Sequence, residues 1–158
     1  MSYSVERFKL SDWDDLVPRP EAAADFEVIK NEIIFKEAYT NGMPFFTLRY
    51  NGEIIVVYGF MYAGMGTYFP AVVAGCNMHK HVRKVLTLFY EYFATYVPRD
   101  CRRMEAYCDI MDVKAVTLAK HFGFDVVGIR HNATASGNDQ VILERLVLMD
   151  PRKVMRSN

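Results

Sequence analysis

The stretch YCDIMDVKAVTLAKHFGF, residues 107–124, runs on into DVVGI, residues 125–129, and decides the fold. It reads as strand, helix, tight stop and strand. Met104, Ala106 and Cys108 fall at every second position from Arg103 to Cys108, the pattern of a half-buried strand. Asp112 is placed to cap a helix, its carboxylate accepting from the first free amides. Val113, Val116, Leu118 and Phe122 give that helix an apolar stripe. Gly123 ends it, because glycine takes the left-handed C-terminal conformation without a Cβ penalty. Phe124 and the run Val126 to Ile129 begin the next strand.

Toward the N-terminus, Val82, Val85 or Leu86, Phe89 and Phe93 predict a helix from His79 to Tyr96, ended by Pro98. Before it, Phe45–Tyr50 and Glu53–Tyr62 are two strands joined by Asn51-Gly52, a strong hairpin signal. Gly64-Met65-Gly66 turns the chain into a strand from Tyr68 to Gly75, completing an antiparallel meander. Tyr3, Val5, Phe8 and Leu10 mark a first strand. Ser11-Asp12 offers a cap for a short helix that Pro18 and Pro20 break. A longer helix follows from Glu21 to Tyr39, with Phe26, Ile29, Ile33 or Ile34, and Ala38 inside, ended at Asn41-Gly42. Beyond the opening unit, Ser136-Gly137-Asn138 turns into a final strand from Gln140 to Met149. The predicted order is β-α-α-β-β-β-α-β-α-β-β, in one domain over residues 1–150 with a basic, fraying tail over 151–158.

Composition narrows the function classes. The chain has 158 residues, enough for one core without a staple. Its 19 basic and 19 acidic residues cancel, so a uniform nucleic-acid or membrane footprint is not expected and any basic site is local. No apolar run is long enough to span a bilayer, and the N-terminus lacks a signal peptide's apolar core. Cys76, Cys101 and Cys108 have no metal-type spacing and read as reduced thiols, which points to the cytoplasm. No metal set, Ser-His-Asp order or phosphate loop appears. Tyr90, Tyr92 and Tyr96 read as core or interface aromatics.

This order of elements, with the Gly123-Phe124 unit, resembles the GNAT superfamily of acetyl-CoA-dependent N-acetyltransferases. The resemblance implies an α+β fold of α/β/α sandwich type. It would have a mixed, mostly antiparallel sheet of about seven strands with about four helices. In that family the helix after the fifth strand tends to read Asn-x-x-Ala, then Tyr, then Gly-Phe. Here Asp112, Ala115, Ala119 and Gly123-Phe124 correspond. The family's loop after the fourth strand uses glycines so that backbone N–H groups approach a pyrophosphate at a helix start. Here that loop reads Met78-His79-Lys80-His81-Val82-Arg83, without glycine. His79, Lys80, His81, Arg83 and Lys84 gather there instead. Exposed cations at a helix N-terminus cost about 0.3–1 kcal/mol each. Two readings stand: side chains that bind pyrophosphate, or a solvated helix end.

The resemblance implies acetyl-CoA as cofactor, held in a V-shaped gap between the fourth and fifth strands. Backbone amides of Val73, Ala74, Gly75 and Cys76 would meet the pantetheine arm and the carbonyl. His79, Lys80, His81, Arg83 and Lys84 would meet the phosphates, with Asp112 beside them. Acyl transfer needs a base, polarising N–H groups and an acid. The family often places the base as a carboxylate on the fourth strand, and Tyr68 to Gly75 contains none. Ala119 stands where the family often has its acidic Tyr. Substitutes in reach by sequence are Glu53, Tyr58, Tyr62, Tyr68, Cys76 and His79, with Tyr68, Cys76 and Glu53 the catalytic candidates. Cys76 reads either as a nucleophile beside a basic helix start or as an inert thiol. His121 reads as a polar-face residue, while His131 and Asp139 could line a substrate mouth.

A closer resemblance is to short phage proteins of the podovirus type, described as acetyltransferase-like or as internal virion proteins. Two functions follow. One is an N-acetyltransferase acting on an acyl-CoA and an amine. The other is a non-catalytic GNAT-fold protein that binds protein partners, such as virion proteins, in host cytoplasm or virion. Assembly as a homo-oligomer is compatible with both.

Overall fold

The computed structural model describes residues 2–31, 45–97 and 99–147. The expected second half of the helix to Tyr39, its stop at Asn41-Gly42, Pro98, the end of the last strand and the tail lie outside them, as does the side chain of Ile29. Seven strands form one sheet: β1 (Tyr3–Arg7), β2 (Phe46–Tyr50), β3 (Glu53–Gly64), β4 (Thr67–Ala74), β5 (Arg103–Asp109), β6 (Asp125–Arg130) and β7 (Gln140–Leu146). The helices are α1 (Asp12–Asp15), α2 (Ala23–Asn31), α3 (Val82–Tyr96) and α4 (Val113–His121), with 3-10 turns at Pro20–Ala22 and Met78–His81. The spatial order is β1-β2-β3-β4-β5-β7-β6. The expected α+β fold with a mixed sheet is therefore the fold observed.

The β2–β3 hairpin turns at Asn51 and Gly52, both with positive φ (50° and 87°). This turn matches the right-handed twist of paired strands, and it tolerates asparagine and glycine best. Every neighbouring pair is antiparallel except β4 and β5, which run parallel. That parallel pairing holds for two residue pairs only, Thr67 with Arg103 and Tyr68 with Met104. Past Tyr68 the strands diverge and leave a wedge toward the C-terminal ends of both.

Two cores flank the sheet. The larger lies under α3 and α4, around Leu48, Ile55, Phe60, Met104, Leu143, Phe89 and Phe122. Phe89 and Phe122 stack at 4.0 Å between ring centres. The smaller packs Trp13 of α1 and Phe26 of α2 on the opposite face, against Phe45, Val57, Ala71 and Val73. A buried carboxylate joins α1 to the sheet. Asp12 accepts from Thr47 Oγ1 (2.6 Å), from Arg49 Nη2 (2.8 Å) and from the Lys9 amide (3.0 Å).

Several local expectations change. Ser11 makes no side-chain cap for α1. Pro20 opens a turn that leads into α2 rather than ending a helix, which suits a residue whose missing N–H is unused at a first helical position. The first strand stops at Arg7, because Phe8 turns into the smaller core and Leu10 stays exposed. Val113 does not join the buried stripe of α4: it is 68% exposed, while Ala119 and Phe122 are buried. The apolar run of β6 is also exposed.

Candidate functional site

The wedge is built by strand alternation. The Gly75 amide donates to Ile55 O at 2.9 Å, so Gly75 and Val73 face β3. Alternation then aims the Ala74 N–H away from β3, at the gap. Gly75 fits because an added Cβ would stand 2.5 Å from Ile54 O. The Cys76 amide donates to Val17 O at 2.8 Å, and Pro18 forms an isolated bridge with Gly75. Of the amides expected to meet a pantetheine arm, Ala74 is thus the one presented to the gap.

Residues 17–19 cross the open end of the V. Arg19 lies next to the Pro18 bridge and forms a bidentate pair with Asp112, Nη1–Oδ1 3.2 Å and Nη2–Oδ2 2.5 Å, both side chains 10% exposed. The same Asp112 caps α4, accepting from the Ala115 amide at 3.0 Å. Asp112 is therefore committed to Arg19 and to its own helix.

A pocket of about 390 Å³ opens on the α3/α4 side of the sheet. Its walls come from Arg19, Pro20 and Glu21, from Cys76, Met78, His79 and Val82, and from Val113, Lys114, Thr117, Leu118 and His121. Met78 forms part of a wall, and Phe89 stacks in the core on Phe122, so neither fills it. Lys114 Nζ and Glu21 Oε1 meet at 3.4 Å, both largely exposed. His79 Nδ1 lies 3.2 Å from Cys76 O. The pocket is a mostly apolar trough with Arg19, His79, Lys114 and His121 around it, a combination that suits an extended ligand with an anionic end.

The five-cation cluster splits. His79 reaches the pocket, while Lys80 and Arg83 are exposed and do not line it. His81 and Lys84 turn the other way: His81 Nδ1 pairs with Tyr3 Oη at 2.7 Å, and Lys84 Nζ stands 5.9 Å from the Tyr3 ring centre. Lys114 and His121, which sequence reasoning left aside, supply the opposite wall. Their signal was present, since Lys114, Thr117, Leu118 and His121 are spaced i, i+3, i+4 and i+7. Arg19 had no comparable signal, because its place depends on the chain crossing the V.

The three catalytic candidates do not converge. Tyr68 sits at the closed end of the wedge, roughly 20 Å along the strand from Ala74 at about 3.3 Å per residue. Its hydroxyl donates to Asp100 (3.0 Å), and burial followed by that bond pushes its phenol up to about 12. Glu53 lies exposed on β3 and accepts from Asn77 Nδ2 at 2.6 Å. Cys76 alone lines the pocket. Ala119 is buried. His131 pairs with Asp139 at 3.0 Å on an exposed turn.

Glu105 stands at the closed end of the wedge, as Tyr68 does. Glu105 follows Met104, the last paired residue of β5, and faces away from α3 and α4. Its Oε2 accepts from Tyr107 Oη at 2.8 Å and its Oε1 pairs with Arg103 at 2.6 Å. Burial, then the hydrogen bond to Glu105, raises the Tyr107 phenol above its ordinary value. Among the described residues no group of three His, Cys, Asp or Glu side chains is placed to hold a metal. No described helix is long and apolar enough to cross a membrane.

These features, an open mixed sheet with one diverging parallel pair and a trough beside it, define a fold that solved structures share. Ard1 from Thermoplasma volcanium superposes with a TM-score of 0.72 at 10% identity, over 94% of this chain and 100% of that one. Ribosomal-protein-alanine N-acetyltransferase from Brucella melitensis gives 0.65 at 11% identity, covering 91% and 99%. A GNAT family acetyltransferase from Elizabethkingia anophelis, solved with acetyl-CoA bound, gives 0.58 at 13% identity, covering 92% and 98%. The chain has the GNAT acetyltransferase fold. No protein-family model matches its sequence, and no curated protein does.

Proposed function

We propose that the protein binds an acyl-CoA in the trough beside the β4–β5 wedge and transfers the acyl group to an amine. The observation that carries this reading is the pocket of about 390 Å³ beyond the diverging strand ends, largely apolar along its walls and edged by Arg19, Lys114, His79 and His121, with Glu21 among them. The residues present fit the cofactor class, although by side chains in place of a glycine loop. Val82, Val113, Leu118 and Met78 provide apolar surface for the pantetheine arm. His79, Lys114 and His121 provide donors for phosphates. When bound, acyl-CoA supplies a thioester-activated acyl group. The Ala74 N–H is the donor aimed at the gap, where it can polarise a carbonyl. Water at the open mouth takes the proton of an incoming ammonium and returns one to the departing thiolate. The free cysteines suit a reducing setting such as the cytoplasm.

Calorimetric titration with acetyl-CoA tests this. Saturable binding is expected. Lys114→Ala and His79→Ala should each weaken it about 5-fold, or about 1 kcal/mol per partly exposed cation. Absence of binding at about 1 mM, a Kd equivalent to about −4 kcal/mol, overturns the reading.

A second reading is favoured by the crossing segment 17–19, which uses the Gly75 and Cys76 end of β4, and by the buried Ala119. In it the fold binds without catalysis, and the virion-component or host-modulating role implied by the phage resemblance belongs here, with protein partners. Binding of acetyl-CoA without thioester cleavage across a panel of amines and N-terminal peptides would support it over the first.

A further inference from the structure

β6 ends the sheet, and one of its edges is unpaired among the described residues. Such edges are normally blunted by lysine, proline, inward charge or a bulge. β6 has a bulge but no lysine or proline, and reads Asp125-Val126-Val127-Gly128-Ile129-Arg130, apolar within and with one charge of opposite sign at each end. Val126, Val127 and Ile129 are 47%, 56% and 50% exposed.

The faces follow from the pairing with β7. Val126 lies opposite Leu143 and Ile129 opposite Val141, both buried core residues. Asp125 lies opposite Glu144 and Arg130 opposite Gln140, on the other face. In a regular strand, residues five apart point to opposite faces. The irregularity between Val126 and Gly128 absorbs Val127 and brings Asp125 and Arg130 to the same face. Outward from Gly128, β6 then reads apolar, charged in both directions, with the charges opposite in sign.

We propose that β6 pairs antiparallel with β6 of a second copy of this chain, around a two-fold axis at Gly128. In that register Asp125 meets Arg130 of the second copy, Val126 meets Ile129, and glycine meets glycine. Each pair occurs twice, as a two-fold interface requires. Opposite charges and apolar residues standing directly across a ladder are the stabilising kinds of pair. The bulge is what makes this possible: without it, directly opposed residues would disagree in face. Arg130 is held on its face by the Tyr107 ring, 5.4 Å away, ready to meet a carboxylate. The other terminal strand, β1, is less well matched to itself. Self-pairing about Val5 would set Glu6 against Ser4 and Arg7 against Tyr3, and the register that sets Glu6 against Arg7 keeps no other pair within the strand.

Sedimentation of the full chain tests the proposal. At about 100 µM, where a contact with a Kd at or below that value is populated, the species should be twice the 18.2 kDa chain mass. Asp125→Arg and Arg130→Asp are exposed changes that leave circular dichroism unaltered, and each alone should give a monomer. Mixed in equal amounts, the two variants should form a heterodimer, because every ion pair is restored between them. A wild-type monomer at that concentration, a dimer indifferent to either swap, or a mixture that stays monomeric would each overturn the proposal.

Discussion

Replacing Asp112 with alanine removes two supports at once. The carboxylate is the partner of Arg19 across the mouth of the V, and it is the N-cap of α4. Both side chains of the pair are 10% exposed, so Arg19 would remain as a buried charge without its partner. Orphaning one member of a buried pair costs about 3–5 kcal/mol, and losing the cap adds about 1 kcal/mol. The expected loss is about 4–6 kcal/mol. At about 2–4 °C per kcal/mol for a chain of this size, Tm should fall by roughly 10–20 °C.

Companion changes separate the two supports. Asp112→Asn keeps an acceptor for the Ala115 amide but not the charge, so it should cost about 3–5 kcal/mol. Arg19→Met leaves a carboxylate at a helix N-terminus, where the dipole and the amide still favour it, and should cost about 2–3 kcal/mol. The double change Arg19→Met/Asp112→Asn orphans neither charge and should cost less than the sum by about 2 kcal/mol. Urea unfolding followed by circular dichroism reads all four, with a constant m-value as the check on two-state behaviour. Amide exchange at Cys76 adds a local readout, because its N–H is held by Val17 in the same segment. If Asp112→Ala costs only about 1 kcal/mol, the value of the cap alone, or the single changes add, the segment does not tie the V together.

Two further outcomes concern titration and thiols. Burial and then the neighbouring Asp112 push the Cys108 thiol up to about 12, and Cys101 is 1% exposed with its thiol also raised by burial. At pH 8 one thiol, Cys76, should react with an aromatic disulfide reagent, the other two about 100-fold more slowly. Two fast thiols would contradict the packing of β5. Burial holds the Tyr58 and Tyr68 phenols near about 12, against an ordinary value of about 10. A raised folded-state value stabilises the protein below the unfolded value and is lost as pH climbs through the folded one. Tm should therefore stay level up to about pH 10 and fall toward pH 12; a level Tm to pH 11.5 would refute the burial argument.

The fold was legible because its signals are local. Asn51-Gly52 sets the hairpin, Asp112 and Gly123 bound α4, and Pro, Gly and period-2 runs mark the strands. The site was legible only in part, because its parts meet through the tertiary path. Cys76 and His79, expected near a cofactor from the sequence, line the pocket because they follow a strand whose end the wedge exposes. Arg19 and Lys114 come from segments 95 residues apart, 114 − 19, and only the V joins them. The basic run at 79–84 misled by proximity. On a helix start, neighbours in sequence point around the axis, so His81 and Lys84 face Tyr3 while His79 faces the pocket. Glu105 was passed over because β5 read as a structural strand. Its position relative to the wedge depends on where β4 stops pairing, and no residue pattern announces that.

The wedge sets Glu105 apart from the trough. Met104, Ala106 and Cys108 face the α3/α4 core, the side on which the trough lies; Arg103, Glu105 and Tyr107 face the other. Glu105, held by Arg103 and Tyr107, stands one residue past Met104, the partner of Tyr68, and so at the closed end of the wedge, roughly 17 Å short of the level of Ala74 at about 3.3 Å per residue. Ala119, buried on the trough side, has no proton to give a departing thiolate. Tyr107 keeps its proton well above neutral pH, since burial and its bond to Glu105 both oppose ionisation. In the proposed transfer, protons therefore exchange with water at the open mouth rather than through α4 or β5. Glu105→Gln should then leave both transfer and acetyl-CoA binding in the titration unchanged. Loss of transfer with binding intact would bring Glu105 to the reacting end and refute the distance argument.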